Sequence, residues 1–490
     1  MKQLEMVSDN EPYTMKVSSP ILTDTARMAR FVGHLGLLTF LALSILMAHE
    51  RVLLTDSAAQ LFELIQRGTF VIYDHRYTMA VTQLLPLLGI KLGLPLPFLV
   101  ILYSSAAPLL AYLVFLLLAY RWHNTRSALL LLLPLLCIRH TFFHAISETY
   151  SLLIYATLLH ALLQRQSHTP LHYVALVLCI IACVFVHPIG MFFALFLLGY
   201  HFVDYHFRPK SGLTIAAAVL IVSAIVKLQL PSGHDSSYMP TLADIIYRLA
   251  HPNEIQILHG LTSSPISFCA LALYATALTG HLCKRRWLLL AWGIVFNAGF
   301  FLLSAVIYYA DNSSIAFERT WLPLVFFAGI PLTSFHWPAP ARRFPLTTLP
   351  AIALLAGLLV TDIKIVRLGR DYRERLDALQ TLVDHGRRNG HRKLVIPLQE
   401  FRPRHAVDSW ATAFETLILS SLHGPDSSVT LYLEEQEPFR TDNSDYQVLD
   451  AYLAVPWNRL WNYNTLNPRY FRLPAQPYVA IDAAGSDNRL

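Results

Sequence analysis

Charge is scarce in this chain. Asp, Glu, Lys and Arg make up 14% of its 490 residues, against a hydrophobic fraction of 54% and a mean hydropathy of +0.44. A soluble domain carries about 25% charged residues. The deficit argues against a wholly water-exposed protein and for a lipid-facing surface, which gains nothing from charge and is penalised for every ion it buries. Cysteine is nearly as sparse. The five (Cys137, Cys179, Cys183, Cys269 and Cys283) lie in or at the ends of apolar runs. They have neither zinc-ligand spacing nor the pattern of a secreted disulfide scaffold. Cys179 and Cys183, one helical turn apart, read as small packing residues. No P-loop, no GxGxxG ahead of a helix and no GxSxG occurs, and the 21 histidines include no HExxH pair. A nucleotide-dependent enzyme and the common zinc hydrolases are therefore not indicated. Nor does the net charge of +6 indicate nucleic-acid binding, because the basic residues fall in short clusters between apolar runs. Residues 1–30 are largely polar and no small-residue cleavage site follows the first apolar run, so no cleavable leader is expected.

What the chain has in quantity is long apolar runs. A bilayer core takes about 20 apolar residues per helix. Such runs recur at 31–49, 96–119, 127–143, 146–163, 171–187, 189–206, 212–230, 265–283, 287–308, 320–336 and 344–361. Backbone groups in lipid must be satisfied within the segment, so these runs predict helices. The expected fold is an α-helical polytopic membrane protein of about eleven transmembrane helices, with a small α+β extracytoplasmic C-terminal domain.

One set of connecting loops is basic: Lys16, Arg27 and Arg30; Arg121 and Arg126; Arg165; Arg208 and Lys210; Lys284, Arg285 and Arg286; Arg342 and Arg343. The positive-inside rule puts these in the cytoplasm. The opposite loops, 50–95, 231–264 and 309–319, are longer and less basic. This predicts a cytoplasmic segment 1–30, a membrane domain 31–361, and the 50–95 loop and the tail 362–490 on the outer side. In the 50–95 loop, Ala58, Leu61, Phe62 and Ile65 recur at helical spacing. Thr55 or Ser57 is available as an N-cap and Gly68 as the stop. Thr82 to Leu92 is a second amphipathic segment, and both suit the membrane interface. The tail shows an amphipathic helix from Arg367 to Gly390 and a helix from Trp410 to Leu422. Its strands are expected at Lys393–Pro397 and Val429–Leu433. At this length the tail is expected to build its own core.

Asp56, in Leu53-Leu54-Thr55-Asp56-Ser57, stands just past the first apolar run, with Asp74 following in Tyr73-Asp74-His75-Arg76. As a structural residue Asp56 would cap or charge a helix start. As a functional one it could take a proton from an acceptor hydroxyl or hold a divalent cation. Asp74 is the second candidate carboxylate, its structural alternative a turn paired with Arg76 or His75. Ionisable residues within apolar runs form a further set. Arg139 and His140 interrupt the third run, Glu148 follows and would suit a pair with Arg139, and His187 ends the fifth. Glu318 and Arg319 open the tenth. Arg139, His140 and Arg319 suit a lipid phosphate, which guanidinium binds bidentately.

The stretch Thr55 to Phe70, an acidic residue leading into a helix and an exit of the form x-x-Gly-x-aromatic, resembles the first outer loop of the GT-C class of integral membrane glycosyltransferases. The layout of loop, many spans and outer C-terminal domain resembles it too. That resemblance implies a sugar donated by a polyprenyl-phosphate carrier to a lipid or glycan acceptor, in a bacterial inner membrane. It implies a loop aspartate acting as base or metal ligand, a role carried to Asp56 alone. Paired acidic residues are common at this place in the class, and here Ser57 follows Asp56. A transporter or flippase, or a polymerase or ligase for lipid-linked saccharides, is the alternative. A transporter would show paired halves with broken helices near mid-membrane.

Overall fold

The computed structural model describes residues 20–146, 148–165, 167, 169–207, 211–230, 240–255, 265–309, 313–334, 348–401, 409–435, 444–454, 461–463 and 465–481. Lys16, Arg208, Lys210, Arg342 and Arg343 of the basic loops lie outside the described residues. The long apolar runs are helices: α1 (Pro20–Leu46), then the short α2 (Ala48–Val52) and α3 (Thr55–Arg67), α4 (Ala80–Leu92) and α5 (Leu96–Leu116). After a four-residue α6 (Thr125–Ala128) come α7 (Glu148–Gln164), α8 (Pro170–Val186), α9 (Gly190–Asp204), α10 (Ser211–Gln229) and α11 (Leu242–Ala250). The bundle continues with α12 (Pro265–Cys283), α13 (Trp287–Ile307), α14 (Ser314–Ser334) and α15 (Thr348–Arg388). Five segments are long and apolar enough to cross a membrane: Ala26–Leu46, Leu96–Arg121, Ser211–Gln229, Trp287–Ile307 and Ser314–Thr333. α10 and α13 leave large apolar side chains on the surface, among them Val222 and Val295, 61% and 70% exposed. In water that exposure would be costly, and against lipid it is not.

One expected span is not a continuous helix. Residues 127–143 form α6 and three separate single turns at Leu129–Leu131, Pro134–Leu136 and His140–Phe143. The segment is still buried, with Leu132, Cys137 and Phe143 fully covered. Two local causes break the helix. Pro134 has no N–H to donate, and the N–H groups of Arg139, His140 and Thr141 turn to a side chain of α14 instead of to carbonyls one turn back. Apolar composition predicted burial here but not regular helix.

The boundary expected at residue 361 falls inside α15, one helix of 41 residues. Its second half presents Tyr372, Leu376, Leu379 and Leu382 inward. Beyond it, β1 (Lys393–Pro397) is the centre of a parallel sheet, flanked by β2 (Thr430–Glu434) and by β5 (Val479–Ala480). Leu394 is in register with Leu431 and Val479. β3 (Tyr452–Ala454) and β4 (Trp461–Tyr463) form an antiparallel pair, and α16 (Thr412–Ser421) lies against β2.

These elements share one hydrophobic cluster with the membrane domain and hold a smaller one, Val395, Tyr446, Leu453 and Tyr478, within the tail. α3, expected to lie in the membrane interface, is instead enclosed by protein. Ala58, Leu61, Phe62 and Ile65 are fully buried. Phe62 meets Phe414, Tyr452 and Phe471 at ring-centroid distances of 5.1, 5.4 and 5.6 Å. Asn467 donates to the Ile65 carbonyl at 3.0 Å, and Arg469 to that of Gly93 at 2.6 Å. Gly93, at φ 68°, permits that approach because a side chain there would strike the guanidinium. The helix carrying Asp56 is thus part of the C-terminal core. Phe62→Ala should therefore destabilise the whole tail, by about 3–5 kcal/mol. Melting in detergent together with proteolysis of residues 391–481 checks this. Loss of Tm with the tail still protease-resistant would mean separate cores.

Candidate functional site

Asp56 sits in the first turn of α3, half-buried. Neither Thr55 nor Ser57 caps the helix. The cap position is Leu54, without a side-chain bond. The missing acceptor comes from α16. Glu415 takes the Thr55 N–H on Oε1 at 2.7 Å, and its other oxygen pairs with Arg375 of α15. Arg375 also reaches the Leu53 carbonyl at 3.4 Å. All three residues are buried: Thr55 is 2% exposed, Arg375 2% and Glu415 0%. Gly68 closes the helix in the left-handed conformation, its N–H on the Leu64 carbonyl at 2.9 Å, as its sequence position predicts.

The segment from Arg139 to Glu148 runs past this helix start. Ser57 accepts the Ile146 N–H at 3.3 Å. The far side of the segment is held by Glu318 of α14, fully buried. Glu318 accepts the N–H groups of Arg139, His140 and Thr141, each at 2.9 Å, and the Thr141 hydroxyl at 2.7 Å. Three consecutive amides converging on one carboxylate make an anion nest, so Glu318 anchors the chain here. Its neighbour Arg319 is exposed. The ion pairs differ from those expected. Glu148 pairs with Arg76 and not with Arg139, and Arg139 lies 3.7 Å from Glu318. The Asp74–Arg76 contact is present at 3.8 Å. Asp74 and His75 both occupy the left-handed region, at φ 51° and 56°. The buried Lys227 of α10 holds that turn by donating to the Asp74 carbonyl at 2.8 Å. His140 approaches the Tyr372 hydroxyl at 3.5 Å. His187 accepts the Ile189 N–H at 3.2 Å, within the turn between α8 and α9.

The charges act on common neighbours. Asp56, Tyr73 and Glu148 all act electrostatically on the buried Tyr103 hydroxyl, which donates to Gln60 at 2.6 Å. In the loop, burial first and then the carboxylates of Glu63 and Asp56 push the Tyr73 phenol up, with Arg67 opposing. Tyr73 therefore stays a neutral hydroxyl. Between Glu318 and α3 lies His144, 8% exposed, with no hydrogen-bond partner at Nε2 among the described residues. Burial, reinforced by the positive charges of Arg319, His140 and Arg51, pushes its imidazole down to about 3. Asp74 and Glu148 thus meet Arg76 on one side. On the other side Arg319 and His140 lie near the neutral His144.

Among the described residues no group of three or more His, Cys, Asp or Glu is placed to hold a metal ion. A divalent cation at Asp56 would draw the rest of its oxygen ligands from phosphate and water. Comparison with protein-family models, with curated proteins and with solved structures finds no match to this chain.

His144 gives the site a pH signature. The folded protein keeps it neutral down to about pH 3, whereas the unfolded chain protonates it below about 6.5. Its contribution to stability is complete above 6.5 and is lost as pH falls from there, at up to about 1.4 kcal/mol per pH unit. His144→Gln should flatten the fall in detergent Tm from pH 6.5 to about 4.5. Parallel Tm profiles for the two proteins would remove His144 from this account.

Proposed function

We propose that this protein is a membrane glycosyltransferase of GT-C-like design, moving a sugar from a lipid-phosphate carrier to a periplasmic or cell-surface acceptor. Asp56 serves as general base or as ligand to a divalent cation. One observation carries the reading: Glu415 takes the Thr55 amide from α16, and Asp56 stands next to it as a half-buried carboxylate in the first turn of α3. The hydroxyl of an acceptor sugar or lipid loses its proton as the glycosidic bond forms, and a fixed carboxylate accepts it directly or orients it through a cation.

The basic residues support the donor's part in the same reading. A lipid-phosphate leaving group needs cations, and Arg139 and His140 supply them on the segment running past α3 and Arg319 at the start of α14. Asp74, tied to Arg76, is the second carboxylate of the site and shares that arginine with Glu148. The lysine and arginine asymmetry of the loops supports an outer position for this end of the bundle, and the resemblance to the GT-C class supports a bacterial inner membrane.

Asp56→Asn keeps shape and hydrogen bonding while removing the base. Transfer from a polyprenyl-phosphate sugar, assayed with purified protein, should fall by about 10²–10⁴-fold at unchanged Tm. A variant that transfers at the wild-type rate would end the catalytic reading of Asp56.

A further inference from the structure

The other end of the bundle holds a groove of about 280 Å³ where α7 ends, α8 begins, α9 ends and α10 begins. Its polar side carries Arg165, His172 and Ser211, and its apolar side Leu162, Leu176 and Leu213. No carboxylate lines it among the described residues. The nearest acidic residue along the chain, Asp204, is turned to Arg286 at 3.0 Å. Arg165 is exposed at the rim, its guanidinium 5.3 Å from the centre of the Trp122 ring. The Ser211 hydroxyl lies 2.8 Å from that of Tyr173. The helices bordering the groove turn apolar faces outward, with Leu171 and Leu178 on α8 78% and 60% exposed and Ile221 on α10 60% exposed. The groove therefore lies between helices whose outer faces are apolar.

We propose that this groove is a second binding site, for an amphiphile with a phosphate head and a hydrocarbon tail. The head meets Arg165 and His172, and the tail follows Leu176 and Leu213 onto the lipid-facing side of α8 and α10. The physical basis is the Arg165 guanidinium at a recess that no carboxylate lines among the described residues, beside the apolar side chains of Leu162, Leu176 and Leu213. Basic recesses between membrane helices hold anionic lipid head groups for this reason, while a free phosphate would gain only from the charge. The site is distinct from the one at Asp56. Glu148, at the start of α7, borders that site, and Leu162 to Arg165, at the end of α7, border this one. Seventeen residues of helix separate them, about 25 Å.

Gly212 offers a substitution that fills the groove and leaves its charges in place. A Cβ at this position would meet Leu176 at 3.7 Å and His172 at 4.0 Å, ordinary contacts, and a longer side chain would extend into the recess. The test is native mass spectrometry of the full chain in neutral detergent, titrated with phosphatidylglycerol, phosphatidylcholine or inorganic phosphate. The wild type should prefer phosphatidylglycerol to phosphatidylcholine. Arg165→Gln should weaken phosphatidylglycerol binding by about fivefold, the effect of one interfacial cation, and Gly212→Leu should abolish the preference. Asp56→Asn should bind as the wild type does, which separates this result from the fate of the catalytic reading. Equal binding of the two lipids, or wild-type binding by both groove variants, overturns the proposal. Displacement of phosphatidylglycerol by millimolar inorganic phosphate would overturn the lipid assignment.

Discussion

The buried carboxylate of Glu415 fixes the place where the chain leaves its first long helix and enters α3. It joins three regions far apart in sequence: the Thr55 amide, the Arg375 guanidinium and α16. An ion pair this deep gains little net energy, because desolvation offsets the attraction. Its consequence is geometric. Breaking such a pair from one side costs about 3–5 kcal/mol, since a bare charge is left inside, so the start of α3 has one low-energy position. Asp56 follows from that position, one residue on.

Glu318 repeats the device on the opposite wall. There a carboxylate from α14 gathers the amides of Arg139, His140 and Thr141 and holds open a stretch that would otherwise coil as helix. Each carboxylate satisfies N–H groups that local structure leaves unpaired, which buried backbone requires. Between the two, the chain brings His144 and Ile146 against the start of α3. Asp74 and Glu148 gather on Arg76, and Arg319, His140 and Arg51 lie around His144. An acceptor hydroxyl and a phosphate leaving group together call for a carboxylate and cations at one site.

Much of the helical architecture was legible in the sequence, because a run of apolar residues as long as that in α5, α10 or α13 has few other uses. β1 and β2 were legible too, as short β-branched and aromatic runs near the predicted residues. Interactions across long separations were not. Nothing near Thr55 announces a cap that lies 360 residues away. Glu148 found Arg76 instead of Arg139 because the turn at Asp74, held by Lys227, returns to α7. The boundary at residue 361 misjudged α15, whose composition changes along its length while its backbone runs on. Phe62 read as one face of an interfacial helix, but the aromatic residues that cover it, Phe414, Tyr452 and Phe471, come from the tail.

Amide exchange at the start of α3 tests the role of Glu415 most directly. In a double variant, Arg375→Met with Glu415→Leu, both charges are removed together and no bare ion remains. The account predicts rapid exchange at Thr55, with Leu61 to Ile65 still protected by the core. A Thr55 amide that exchanges as slowly in the double variant as in the wild type would contradict it, and Asp56 would then owe its position to something else.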